Sequence, residues 1–141
     1  MPKNINVFIG LEVQDMNFTH GHSPEFNPLE KGCCIDFENK RIWVPSGNYR
    51  KMPENDLHPV KLSKEIRDVV NHAFEDESVN ISTHSMHTIN ILADMVVEGL
   101  INHSIITIYC LDNKNESVDF TATIDELGYL VDWPAGFLTV F

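Results

Sequence analysis

Apolar residues recur along this chain in two rhythms, and the change between them falls near its first third. In the segment from Asn6 to Val13, the residues Val7, Phe8, Ile9, Leu11 and Val13 are rich in β-forming types and predict a first strand. Asp15 to Lys31, with His20-Gly21-His22, Pro24 and Pro28, reads as an irregular loop. Cys33 to Phe37 and Arg41 to Val44 flank Glu38-Asn39-Lys40 and predict a hairpin, although its turn lacks the Asn-Gly or Asp-Gly that favours the tightest hairpins. Pro45-Ser46-Gly47-Asn48 ends that unit, and the polar stretch Ser46 to Arg50 makes a poor strand.

Beyond Pro53 the period becomes 3.6. Leu62, Ile66, Val69, Val70, Ala73 and Phe74 fall on one helical face, with Lys61, Lys64, Glu65, Arg67 and Asp68 around the other. Pro59 stands where a helix can start, because its missing N–H costs nothing in the first turn. Val79 to Ser82 predicts a short strand. A second helix over Ser85 to Leu100 follows, with Ile89, Leu92, Ala93, Val96 and Leu100 inward and Gly99 and Asn102 as stop signals. Ile105 to Leu111 is almost continuously apolar, as a central strand covered on both faces would be. Val118 to Ile124 alternates, which suits an edge or a hairpin partner. Helix–strand–helix–strand order implies a crossover and a parallel pair, so the fold class expected is α/β.

At 141 residues the chain is long enough to bury a core without disulfides or metals. A single domain over 1–141 is expected, with a β-rich segment over 1–50 and an α/β segment over 51–141. Ten basic residues against 21 acidic ones leave a formal charge of −11. Direct nucleic-acid binding is therefore not expected, since phosphate contact needs clustered Lys and Arg. No apolar run is long enough to span a bilayer. Met1-Pro2-Lys3-Asn4 lacks the features of a signal peptide. The adjacent Cys33 and Cys34, with Cys110 far off, form no Cys-x-x-Cys and suit reduced thiols. The expected location is cytoplasmic.

Two blocks carry a resemblance. Pro53-Glu54-Asn55-Asp56-Leu57-His58-Pro59, followed by the first predicted helix, resembles the Pro-Glu-x-x-Leu-His-Pro element of ABC-class ATPases of the OLD and SMC-like kind. In that family the element follows the Walker B strand and forms the D-loop. Thr83-His84-Ser85, at the end of the next strand, resembles the same family's switch-histidine loop. Ile108-Tyr109, Ser117-Val118, Ile124-Asp125-Glu126-Leu127-Gly128 and Asp132-Trp133-Pro134-Ala135-Gly136-Phe137 extend the likeness over roughly the last 90 residues, in the family's order. The first strand and Asn17-Phe18 are faintly similar to the family's opening strand and its Asn-Phe.

The departures bear on chemistry. Nothing fits Gly-x-x-x-x-Gly-Lys-Ser/Thr, so the phosphate-cradling backbone, its Lys and its Mg²⁺-binding hydroxyl are not encoded. The two acids the family places before Pro-Glu are here Lys51 and Met52, and neither can bind a metal ion or polarise water. What the resemblance implies is a D-loop-like interface at Glu54, Asp56, Leu57 and His58, and a switch-like His84, in a module with no catalytic residues and no cofactor of its own. Nucleotide contact would arise only together with a partner. Because these ATPases dimerise through the D-loop face, the implied partner is an intact ABC/SMC-like ATPase. The module would regulate it or, if encoded by a virus or mobile element, block it as a decoy subunit.

Two alternatives belong to other classes. His20-x-His22 and the pair His84 and His87 could each offer two ligands to a metal, with Asp36, Asp56 or Glu54 as a third, which would suit a small metal-dependent hydrolase or nuclease. No His-Glu-x-x-His or Cys/His quartet accompanies them. Ser85 beside His84 lacks the third element of a nucleophile–base pair. The other alternative is a structural homo-oligomer that covers a sheet edge left by the missing half of the core, unless the β-rich first 45 residues cover it.

Overall fold

The computed structural model describes residues 2–10, 17–20, 34–36, 40–44, 48–51, 59–83, 85–112 and 117–133. The N-terminal strand β1 (Asn4–Ile9) occupies the middle of the main sheet. It is flanked by β6 (Ser78–Thr83) and β7 (Ile106–Asp112). Both pairings are parallel, with Ile5 opposite Val79 on one side and opposite Ile106 on the other. The six-stranded sheet runs β5-β6-β1-β7-β8-β9, with β5 (Asn48–Lys51) parallel to β6 at one edge. At the other edge β8 (Ser117–Ile124) is antiparallel to β7, and the short β9 (Leu130–Val131) is antiparallel to β8. The protein is α/β, as the alternation of periods predicts.

Three expectations are revised. The strands on either side of the second helix are parallel but are not neighbours, because β1 lies between them. No local pattern could announce this, since the pairing joins residues 74 positions apart. The polar stretch before Pro53 does form a strand, β5, at the edge of the sheet where one neighbour suffices. The loop expected over Asp15 to Lys31 contains β2 (Asn17–His20). It pairs in parallel with β4 (Arg41–Val44), and β3 (Cys34–Asp36) pairs antiparallel on the other side, as the predicted hairpin requires. Lys40 takes the positive φ of 52° that leads into β4, in the role a glycine or asparagine more often fills.

Period 2 divides the main sheet into two unlike faces. Ile5, Val7, Ile9, Val79, Ile81, Ile106, Ile108 and Cys110 share the core with both helices. Each such aliphatic side chain, fully buried, contributes about 1.5–3 kcal/mol. Helix α1 (Pro59–Asn71) supplies Leu62, Ile66, Val69 and Val70, and α2 (Met86–Val97) supplies Ile89, Leu92, Met95 and Val96. Phe74 and Leu100, expected inward, are instead exposed, at 72% and 46%. Both lie past the last helical turn, where the 3.6-residue rhythm no longer governs direction. Gly99 (φ 79°) ends α2: its N–H donates to Val96 O, and the Leu100 N–H donates to Met95 O, in a Schellman closure.

On the other face, Asn6, Phe8, Asn80, Ser82, Thr107 and Tyr109 are all buried. Phe8 stacks on Tyr109 at 5.1 Å between ring centres and meets Phe18 of the small sheet edge-on at 5.4 Å. Ile42 and Val44 of β4 are fully buried, whereas Arg41 sits over the Trp43 ring on the alternate face. The main sheet therefore has helices on one side and contact with the small sheet on the other.

Within this second face the Asn6 amide donates to Asn80 Oδ1 at 3.0 Å, both side chains being fully buried, and Asn6 Oδ1 accepts no hydrogen bond among the described residues. A buried polar group stranded by removal of its partner costs about 1–3 kcal/mol. Asn80→Leu removes the partner of Asn6 and leaves the whole Asn6 amide unmatched, whereas Asn6→Leu also eliminates the unmet acceptor. We predict that Asn80→Leu destabilises more than Asn6→Leu and that the double substitution costs less than the sum, as measured by urea unfolding of the four proteins. Additive costs would refute the coupling.

Helices α1 and α2 are also tied at the surface. The Arg67 guanidinium donates to both Glu98 carboxylate oxygens, at 2.7 and 3.0 Å. Through that hydrogen bond, chiefly, the Glu98 carboxyl is held below its usual pKa and the guanidinium is raised. A carboxyl with a depressed folded-state pKa contributes stability above its unfolded pKa and loses it as pH falls through the folded value. The pair is exposed and screened by salt, so the effect is small. Glu98→Gln should be less stable than wild type at neutral pH and low salt. The difference should vanish on acidification through the range where Glu98 protonates, and a difference unchanged in acid would contradict this assignment.

Candidate functional site

The four parallel strands end together. Lys51 pairs with Ser82, and Ile9 pairs with both Thr83 and Cys110, so the carboxyl ends of β5, β6, β1 and β7 line one edge of the sheet. In α/β proteins ligands gather at this edge, because the loops that leave it are free to vary while the strands hold their roots.

Thr83 at the end of β6 and Ser85 at the start of α2 are tied to one another. Thr83 Oγ1 accepts from the Ser85 N–H at 3.1 Å, contacts Ser85 O at 3.3 Å and lies 3.2 Å from Thr88 Oγ1. Ser85 caps α2 by accepting from the His87 N–H at 3.1 Å. The residues on either side of His84 are thus held by side chain–backbone hydrogen bonds. This is local chemistry: a short hydroxyl side chain at a strand end captures the backbone of the turn, and a second starts the helix. The first turn of α2 contains no acidic residue of its own, and the positive end of its dipole points to this edge.

Gly10 follows β1 at the same edge. Its N–H donates to Thr83 O at 3.3 Å, and a Cβ at this position would come within 2.7 Å of Leu111 O. The backbones of β1 and β7 approach here as closely as an unsubstituted carbon permits. Gly10 and Thr88 were not singled out in the sequence. A glycine after an apolar strand is the only signal Gly10 offers, and Thr88 offers none, since its contact spans a turn whose shape is not local.

Of the residues singled out in the sequence, His87 is exposed in the first turn of α2, on the residue next but one to Ser85. His20 ends β2, and its side chain lies outside the described residues, as do His22, Met52, Glu54, Asp56, Leu57, His58 and His84. Lys51 is the last residue of β5, and Asp36 the last of β3. Cys110 is fully buried in β7. Trp133 is half-buried and packs against the core. Among the described residues no three His, Cys, Asp or Glu side chains come together as a ligand set, and no helix is long and apolar enough to cross a membrane.

No protein-family model, no curated protein and no solved structure matches this chain.

Two substitutions test the edge itself. Ser85→Ala should cost about 1 kcal/mol through the lost cap. Gly10→Ala should cost about 1–3 kcal/mol because the Leu111 carbonyl must move. Urea unfolding reads both, and a neutral Gly10→Ala would mean that the β1–β7 approach is looser than described.

Proposed function

We propose that this protein is a catalytically inactive, ATPase-like module that docks on an ABC/SMC-like ATPase and regulates or inhibits it. One observation carries the reading: the strand that leads into Met52–His58 and the strand that leads into His84 are parallel neighbours ending side by side, with Lys51 opposite Ser82. The resemblance of Pro53–Pro59 to a D-loop and of Thr83–Ser85 to a switch-histidine loop demands that juxtaposition. Nothing in the spacing of the two motifs, about 30 residues apart in the sequence, enforces it.

In this reading Glu54, Asp56, Leu57 and His58 form the contact surface, and His84, between Thr83 and Ser85 in the sequence, supports the adjoining loop. With Lys51 and Met52 at the positions of the metal-binding and water-polarising acids, the module contributes a face and no chemistry. The charge of −11 favours a basic, nucleic-acid-handling partner by complementarity. The protein works in the cytoplasm, and a decoy role in the service of a virus or mobile element suits a module that offers the docking face of an ATPase without its phosphate loop.

The test is affinity purification of the tagged chain from the cells that encode it, beside the variant Asp56→Arg/Leu57→Glu. Wild type should recover an ABC-type ATPase whose nucleotide turnover changes on binding, and the variant should not. Recovery of no such ATPase, or equal recovery by both, would overturn the proposal.

A further inference from the structure

The opposite edge of the sheet carries a second surface. The turn between β8 and β9 is built on Asp125, whose Oδ1 accepts from the Leu127 and Tyr129 N–H groups at 2.9 Å each. Gly128 (φ 85°) presses this turn on the end of α2, where a Cβ would lie 2.8 Å from Val97 Cγ2 and 3.3 Å from Ala93 O. Around that contact Val97, Leu127 and Tyr129 are 65–67% exposed, and Leu100, one turn further, is 46% exposed. Single exposed apolar residues are ordinary, but four gathered on one rigid turn and one helix end are not.

The charge around them is one-sided. From Ser85 to Trp133 the chain carries eight Asp and Glu residues against a single Lys and no Arg. Asp94, three residues before Val97 on α2, Glu126, next to Leu127 in the turn, and Asp132, just past β9, are exposed. The cation that reaches this end of α2, Arg67, is already engaged by Glu98. A second copy of the chain would bring the same carboxylates against these, and an anionic membrane or nucleic acid would be repelled likewise.

We infer that this patch is a docking site for a segment of a partner protein that presents an apolar stripe flanked by Lys or Arg, such as a basic amphipathic helix. It lies at the amino ends of the parallel strands, away from the carboxyl edge, and does not depend on the ATPase reading. The apolar centre supplies affinity, and the carboxylate rim supplies attraction and register.

The probe is a synthetic peptide with Leu on one helical face and Lys beside it, titrated into the fluorescently read full chain at low and high salt. Wild type should bind, more weakly as salt rises. Leu127→Ser/Tyr129→Ser and Glu126→Gln/Asp132→Gln should each bind about tenfold more weakly. Glu65→Gln/Asp68→Gln, which removes the same charge from the outer face of α1, should bind as wild type does. The altered residues are exposed, so the fold should tolerate them. Absence of binding, or equal binding by all four proteins through bulk charge alone, would overturn the inference. So would a concentration-dependent dimer in sedimentation that Leu127→Ser/Tyr129→Ser abolishes, which would assign the patch to a second copy.

Discussion

Everything in this molecule hangs on the double pairing of β1. A strand of six residues, placed before any other element in the chain, is hydrogen-bonded on both sides to strands that follow it by more than 70 residues. Without it β6 and β7 would each present an unpaired edge to solvent, and the residues that both helices cover would lose Ile5, Val7 and Ile9 from the middle of their core. Such a contact is costly in chain entropy, because closing the intervening loop yields nothing until the strand is home. The Asn6–Asn80 hydrogen bond marks the correct register: a slip of one residue would set Asn6 beside Val79 or Ile81 and strand a buried amide.

That placement also decides how the two faces of the sheet are used. The aliphatic face meets α1 and α2, which pack on it through Ile66, Leu92 and Met95 and are joined at the surface by the Arg67–Glu98 pair. The other face is more polar and aromatic, with the Phe8–Tyr109 stack touching Phe18. Apolar packing sets the first layer, and directional contacts fix the second. The latter lose more when displaced, since rings and amides tolerate misalignment poorly.

Parallel strands send their following loops to a common edge, and here those loops are the two segments whose residue patterns resemble ATPase elements. At the far edge a rigid turn and a helix end assemble apolar residues among carboxylates.

Much of this was legible in the residues. The period of 3.6 announces both helices, over about 60–75 and 85–100, and the observed α1 and α2 end three or four residues sooner. The continuous apolar run before Asp112 announces a buried strand, and the alternation over 117–124 announces its hairpin partner, because these signals arise within one element and its own burial. Ser85, which the pattern places inside the second helix, is instead its cap, accepting from the His87 N–H. Glu54, Asp56, Leu57, His58 and His84 carry a resemblance in the sequence, but that the strands before them, β5 and β6, are parallel neighbours does not show there. Tertiary structure alone decided that β1 lies between β6 and β7, that polar Asn48–Lys51 becomes an edge strand, that Phe74 and Leu100 turn outward, and that Gly10 must lack a side chain. Each of these depends on a backbone brought from far along the chain, and a pattern read within a window of a dozen residues carries no information about what arrives from outside it.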